Sequence, residues 1–283
     1  MLPWPTDNES CNAPAGEGSW FAALEREATM SVFGMLNLGE GFKKHFEVVP
    51  ATTVELKDQV YRIRHSVYCE ELKFEPVRTD GREMDEYDAH ALHCLLRNVR
   101  NGEFVGCVRL IRARADEPAY PLPFEKSCTT TLDRRIIDPQ EIPRETIGEV
   151  SRLAVLSKYR KRRGEAENPV GLSNSFGDTQ RPRFPYIPVG LYLGIIELSL
   201  RHGINTIFVL TEPRLAAHFA RLGVQVRQIG GPVEHRGLRI PSVMDCRSIV
   251  DGLSFVTRPL YRVIAEQIDH QLAADHPRIA AVA

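Results

Sequence analysis

No stretch of this 283-residue chain approaches the about 20 consecutive apolar residues that a membrane-spanning helix needs. Cysteine is sparse and scattered: the six residues Cys11, Cys69, Cys94, Cys107, Cys128 and Cys246 form no C-x-x-C pair and lie beside no histidines at zinc-ligand spacing. That pattern excludes a structural zinc finger, predicts no metal site, and reads as unpaired thiols in a reducing compartment. Charge bias is absent too, with a formal net charge of -1, so nothing global draws the chain to nucleic acid. The opening residues Met1-Leu2-Pro3-Trp4-Pro5 lack a basic region followed by an apolar stretch, so no signal peptide is expected and the expected location is cytoplasmic. No internal repeat is visible.

What is present is ordinary globular material, 43% hydrophobic and 26% charged, long enough for a large core. One stretch stands out. Thr146 to Leu156 is rich in β-branched and aliphatic residues, as a buried strand is, yet holds Glu149, Ser151 and Arg152. Unpaired charges are expensive to bury, so this strand is expected to floor a polar cleft. The only concentrated basic run follows at once: Lys158, Arg160, Lys161, Arg162 and Arg163.

Residues 1–18 are rich in Pro, Gly, Ser and Asn and read as a disordered tail. Residues 19–45 read as a helical arm. A catalytic domain is expected over 46–250. It opens with a strand at Phe46–Val49 and a helix from Val54 to about Leu72, capped by Thr52 or Thr53. Lys73 to Asp88 is a long acidic loop. Strands His90–Val99 and Glu103–Ala113 are joined by Asn101-Gly102, the strongest short hairpin signal. Residues 116–145 are irregular and punctuated by proline, and 164–187 form a loop longer than compact domains usually tolerate without purpose. Next come a buried helix Val189–His202, a strand Thr206–Leu210, a helix Glu212–Leu222, and strands at Val224–Ile229 and Leu238–Met244. Residues 251–283 are expected to hold a C-terminal helix, over about 253–274, and a tail. The order predicts an α/β or α+β fold, a mixed central sheet flanked by helices in one domain.

The ordered set Arg64-x-x-x-Tyr68, Phe74, Glu83-x-Asp85-x-x-Asp88, Gly106-x-x-Arg109 and Glu149-x-x-Arg152 resembles the autoinducer synthases. In those enzymes a Phe and a Trp usually stand where Tyr68 and Phe74 are. Glu83-Met84-Asp85-Glu86-Tyr87-Asp88, Glu149-Val150-Ser151-Arg152-Leu153-Ala154-Val155 and the extensions at both ends look closer to the sister group of N-acyl amino acid synthases. Together with the long loop at 164–187 they resemble the acyltransferases associated with PEP-CTERM/exosortase systems. The resemblance implies a GNAT-like fold and transfer of an acyl group from a thioester to an amine by direct attack, with no tightly bound cofactor. It implies an acyl donor carried by acyl carrier protein or CoA. Lys161-x-x-Gly164-x-Ala166 leads into a long loop rather than a helix, which fits the carrier protein better than CoA.

On this reading Glu149 is the first candidate general base, because a half-buried carboxylate can titrate near neutrality. Arg152 stands beside it as a catalytic candidate, and Asp85 is a second candidate base. Arg64, Tyr68, Phe74, Asp88, Arg109 and Ser151 are expected to shape the acceptor site, Arg109 either in an ion network or on a substrate carboxylate. Lys158, Arg160, Lys161, Arg162 and Arg163 are expected to meet the phosphate of a phosphopantetheine arm or an acidic carrier protein. Leu191, Ile195, Leu198, Phe208 and Leu210 line either an acyl tunnel or plain core. One geometric condition follows. Glu149 and Arg152, three residues apart, fall on opposite faces of a regular strand. They share a cleft only if the strand bulges, and a bulge frees backbone N–H groups to hold a thioester oxygen.

Overall fold

The computed structural model describes residues 38–160, 185–212 and 225–279. The expected tail 1–18, most of the arm, Lys161, Arg162, Arg163, nearly all of the long loop and the helix after Glu212 lie outside the described residues.

The described chain begins with helix α1 (Leu38–His45), which buries Phe42, and passes directly into strand β1 (Phe46–Pro50). Helix α2 (Val54–Arg64) starts at Thr53, whose hydroxyl accepts from the Leu56 N–H at 3.3 Å, and carries Glu55 in its first turn. It runs on without a break as one π-helical stretch, His65–Glu71. The wide turn places both Arg64 and Tyr68 on the buried side. Strands β2 (Ala91–Asn98) and β3 (Phe104–Arg112) form the expected hairpin. Its turn is pinned by the Asn98 N–H on the Glu103 carbonyl at 2.8 Å, and Gly102 takes a φ of 71° that a side chain would resist. A short helix α3 (Pro123–Ser127) interrupts the irregular region before strand β4 (Ile147–Val155).

Helix α4 (Tyr186–Arg201) is followed by strand β5 (Thr206–Thr211), the short strands β6 (Arg227–Gln228) and β7 (Val233–Glu234), and strand β8 (Leu238–Asp245). Two helices end the chain, α5 (Cys246–Asp251) and α6 (Arg258–Ile279). Three sequence expectations need correction. Helix α4 begins three residues earlier than expected, before Pro188, which its first turn accommodates. The strand expected over 224–229 shrinks to Arg227–Gln228. The C-terminal helix starts at Arg258 rather than 253, because the Ser254 hydroxyl takes up the Thr257 N–H in a turn.

The sheet order is β1-β2-β3-β4-β5-β8-β6, with β7 on β8. Every pairing is antiparallel except β4 with β5. That parallel pairing is short, Ile147 with Thr206, Gly148 with Ile207 and Glu149 with Phe208. Both strands continue beyond it, β4 against β3 alone and β5 against β8 alone, so the sheet parts at Glu149 and Phe208.

Helices α1, α4, α5 and α6 cover one face of the sheet, packing on Val48, Leu96, Val108, Leu110 and Val150. Helix α2 covers the other over Val49, Leu95, Cys107 and Ala154. Leu191, Ile195 and Leu198 sit inside the first of these layers as packed core, and Phe208 stacks on Phe124 at 4.5 Å. Gly106 in β3 lets α4 and β4 close on it. A Cβ there would stand 2.7 Å from the Ala154 carbonyl oxygen and 3.0 Å from Leu191. Because the nearest obstacle is backbone, Gly106→Ala is expected to lower stability by about 1–3 kcal/mol, read as a lower urea midpoint at unchanged slope.

Candidate active site

Strand β4 does bulge. Its register against β3 slips between the pairs Cys107–Ala154 and Arg109–Ser151, and Arg152 takes a left-handed φ of 53°. One residue of β3, Val108, therefore faces two of β4. The extra residue brings Arg152 to the face that Glu149 and Ser151 already share, the α2 face, where Ala154 also packs. Leu153 and Val155 turn to the α4 side.

On that face His93, Arg109 and Ser151 stand side by side across β2, β3 and β4. The acidic loop closes over them. A single turn of 3-10 helix, Glu86–His90, is held by a reciprocal cap: Asp85 accepts from Tyr87 N–H at 3.0 Å, and Asp88 from Asp85 N–H at 2.8 Å. Both carboxylates thereby point at the sheet. Arg64, fully buried at the end of α2, bonds Asp88 through both terminal nitrogens at 2.6 and 3.1 Å and pairs with Glu83 through Nε. Arg109 donates to Asp85 at 2.7 Å, Asp88 at 3.0 Å and Ser151 Oγ at 3.1 Å. Arg152 reaches Glu83 at 3.0 Å, Glu75 at 3.4 Å and Asp85 at 3.5 Å.

Arg236, on the turn between β7 and β8, pairs with the same Glu75 and so ties the two halves of the sheet together over the cleft. Burial alone would raise the acids. Instead Arg64 and Arg152 hold the Glu83 carboxyl down at about 2, and Arg64 and Arg109 hold Asp88 well below the usual range. His93 is lowered as well, but by burial, which keeps it neutral. Burial, with Arg64 adding to it, pushes it down to about 3, and neither ring nitrogen has a hydrogen-bond partner among the described residues.

Tyr68 lies under Arg152, with the guanidinium carbon 5.6 Å from its ring centroid, and its hydroxyl donates to the Leu153 carbonyl at 3.0 Å. The bulge is thus pinned from below. Phe74 follows through a backbone hydrogen bond to the Tyr68 carbonyl, the two rings 6.4 Å apart.

Glu149 is different from every other acid here. It is 3% exposed and no cation lies within ion-pair distance among the described residues. Its Oε2 accepts a hydrogen bond from the Phe124 backbone N–H at 2.7 Å. Burial pushes it up to about 7, against the pull of that N–H and of Arg109 and Arg152. It also stands at the last paired position before β4 and β5 separate. Asp85, the second candidate, has its oxygens occupied by Arg109, Arg152 and the Tyr87 N–H. Arg152 lies in the acidic network rather than on Glu149.

Of the basic run, Lys158 is paired with Glu103, and Arg160 is buried against Glu71. Arg160 is turned inward, whereas Lys158 stays exposed at the surface. Glu75, Glu83, His93 and Arg236 belong to the network but were not singled out as site residues from the sequence. Glu83 stood in the quoted acidic motif. No local spacing flags Arg236, whose partner is 161 positions away.

Residues 63–167 match the family model described as an acetyltransferase (GNAT) domain. An acyl-homoserine-lactone synthase of Rhizobium radiobacter is 24% identical over 175 residues, covering 62% of this chain and 71% of that protein. Among solved structures, TofI in a ternary complex with an inhibitor and MTA aligns at a TM-score of 0.50 and 19% identity, over 72% of this chain and 96% of that one. FeeM, an N-acyl amino acid synthase from uncultured soil microbes, aligns at 0.47 and 15% identity, over 75% and 97%. Residues 63–167 are thus similar to a GNAT acetyltransferase domain, and the fold is GNAT-like.

Proposed function

We propose that this acyltransferase moves a fatty acyl group from an acyl-carrier thioester to the amino group of an amino acid or related amine, with Glu149 as the base. The observation that carries the reading is the state of Glu149: buried, without a cationic partner, titrating near neutrality, and set where the sheet parts. A base poised near the working pH both accepts a proton readily and is substantially ionised.

In the proposed reaction the thioester lies along the edge that β4 leaves open beyond Glu149. Backbone N–H groups of the bulged segment face its carbonyl oxygen and stabilise the negative charge that develops there. The acceptor nitrogen gives a proton to Glu149, directly or through one water, and attacks the carbonyl carbon. The N–C bond forms, the C–S bond breaks, and the thiolate leaves on its carrier. No covalent enzyme intermediate is needed, and the buried thiols, Cys107 pushed up to about 12 by its burial, are poor nucleophiles. Asp85, Asp88, Arg64 and Arg109 form the wall against which the acceptor is oriented.

The similarity to an acyl-homoserine-lactone synthase supports a second reading, in which the amine donor is S-adenosylmethionine and the product a homoserine lactone. Carrier protein as donor and a place in an exosortase system rest on the resemblance of the motifs, and a cytoplasmic location on the scattered, unpaired cysteines. Mass spectrometry of lipid extracts from an overexpressing host separates the readings. An N-acyl amino acid is expected; an acyl-homoserine lactone establishes the second reading, and neither product with active protein overturns both. With the acceptor identified, kcat/KM is expected to rise with pH through a midpoint near 7, where Glu149 ionises.

A further inference from the structure

A second buried ion pair lies outside the network just described. Glu125 and Arg144 are about 5% exposed each and belong to the irregular region between β3 and β4. Arg144 donates to Glu125 Oε2 from both terminal nitrogens at 3.1 Å, and to the carbonyls of Tyr120 at 2.8 Å and Pro139 at 3.4 Å. The same Oε2 accepts from the Leu122 N–H at 2.8 Å, and Oε1 from Gln140 Nε2 at 2.7 Å. One carboxylate and one guanidinium therefore gather four separate points of residues 120–140 around the start of α3.

The product of that gathering is the placement of Phe124. Its ring stacks on Phe208 at 4.5 Å with planes 16° apart, and its N–H points at Glu149. Burying a charge pair is seldom a net source of stability, so a buried pair beside a site invites a positional explanation.

We propose that the Glu125–Arg144 pair is a positioning element for the candidate base, holding the Pro123–Ser127 turn so that the Phe124 N–H meets the Glu149 carboxylate. This rests on the reading of Glu149 as base, and it adds residues that the acidic-loop motif does not contain. The hydrogen bond stabilises the ionised form and keeps the base from becoming a permanently protonated acid. The other groups facing Glu149 are Arg109 from β3, Arg152 from β4, the Glu125 carboxylate itself and the Cys128 thiol after α3. Of the pair, Glu125 raises Glu149 through its charge, so its removal by itself works to lower the midpoint, and a rise in the double variant reports the lost hydrogen bond.

The test is an infrared titration of the apo protein, following the carbonyl stretch of protonated Glu149, identified as the band missing in Glu149→Gln. The double variant Glu125→Gln with Arg144→Met is expected to raise the Glu149 midpoint by about one pH unit, the effect of losing one hydrogen bond to a charged group. An unchanged or lowered midpoint overturns the proposal. Should the double variant not fold, Arg144→Lys keeps the cation but loses the forked contacts to Tyr120 and Pro139. It is expected to raise the midpoint in the same direction, and no rise overturns the proposal. Acyl transfer by Glu149→Gln at the native rate would sink the base reading instead, while leaving this titration result standing.

Discussion

Replacing Glu149 with glutamine is expected to stop acyl transfer and, above neutral pH, to make the protein more stable. The first effect follows from the loss of a general base, typically about 100- to 10,000-fold in rate. The second follows from linkage. The carboxyl's ordinary value near 4.5 rises to about 7 in the folded chain. Between these two pH values the folded state binds the proton that the unfolded state releases. Stability therefore falls as pH rises through that window, and above it the ionised Glu149 costs about 3 kcal/mol. Glutamine keeps the shape, and its carbonyl still accepts from the Phe124 N–H. Thermal denaturation at about pH 8 is expected to show the variant gaining up to about 3 kcal/mol, and the gain to vanish near pH 4. A variant that is inactive and destabilised at every pH would mean that Glu149 holds the structure together.

Arg64 predicts the opposite balance. Its guanidinium is fully buried and satisfies Glu83 and Asp88 at once. Arg64→Met fills much of the volume but leaves two buried carboxylates short of a partner, a loss of about 3–5 kcal/mol. Arg152 still reaches Glu83 and Arg109 still reaches Asp88, so unfolding should begin in residues 73–90 and not be complete. Hydrogen exchange is the measurement. Faster exchange confined to 73–90, with the strands β2 and β3 protected, is expected; uniform loss of protection would show that Arg64 supports the whole core. The same network sets acid sensitivity. Glu83 is held down at about 2, so its contribution to stability is complete above its ordinary value near 4.5 and is lost as pH falls from there toward 2.

These two residues also show how much was legible beforehand. Glu149 and Arg152 could be singled out because charges in an apolar strand are rare, and their three-residue spacing demanded a bulge. The left-handed Arg152 supplies it. The hairpin at Asn101-Gly102 was legible because it depends on two adjacent residues. An ion network between Arg64 and the acidic loop was implied by the resemblance, but not the pairing of Arg64 with Asp88 in particular. Which acid meets which guanidinium depends on the depth of the loop over the sheet, and Glu83 proved to be the shared partner of Arg64 and Arg152.

The role of residues 120–144 was not legible at all. Its organising contacts join positions up to 25 apart in a segment without periodicity. Lys158 and Arg160 looked available for phosphate because a basic run is ordinarily solvated, yet each found a carboxylate from an element more than fifty residues earlier in the chain.

The central claim is that Glu149 is the group that takes the acceptor's proton. Single-turnover transfer from a long-chain acyl-carrier thioester is its most direct measure, with thiol release followed across pH for the native chain and Glu149→Gln. The native rate should rise through a midpoint near 7 and the variant should lose both the rate and the pH dependence. A variant that keeps the native rate and the same midpoint would place the base elsewhere.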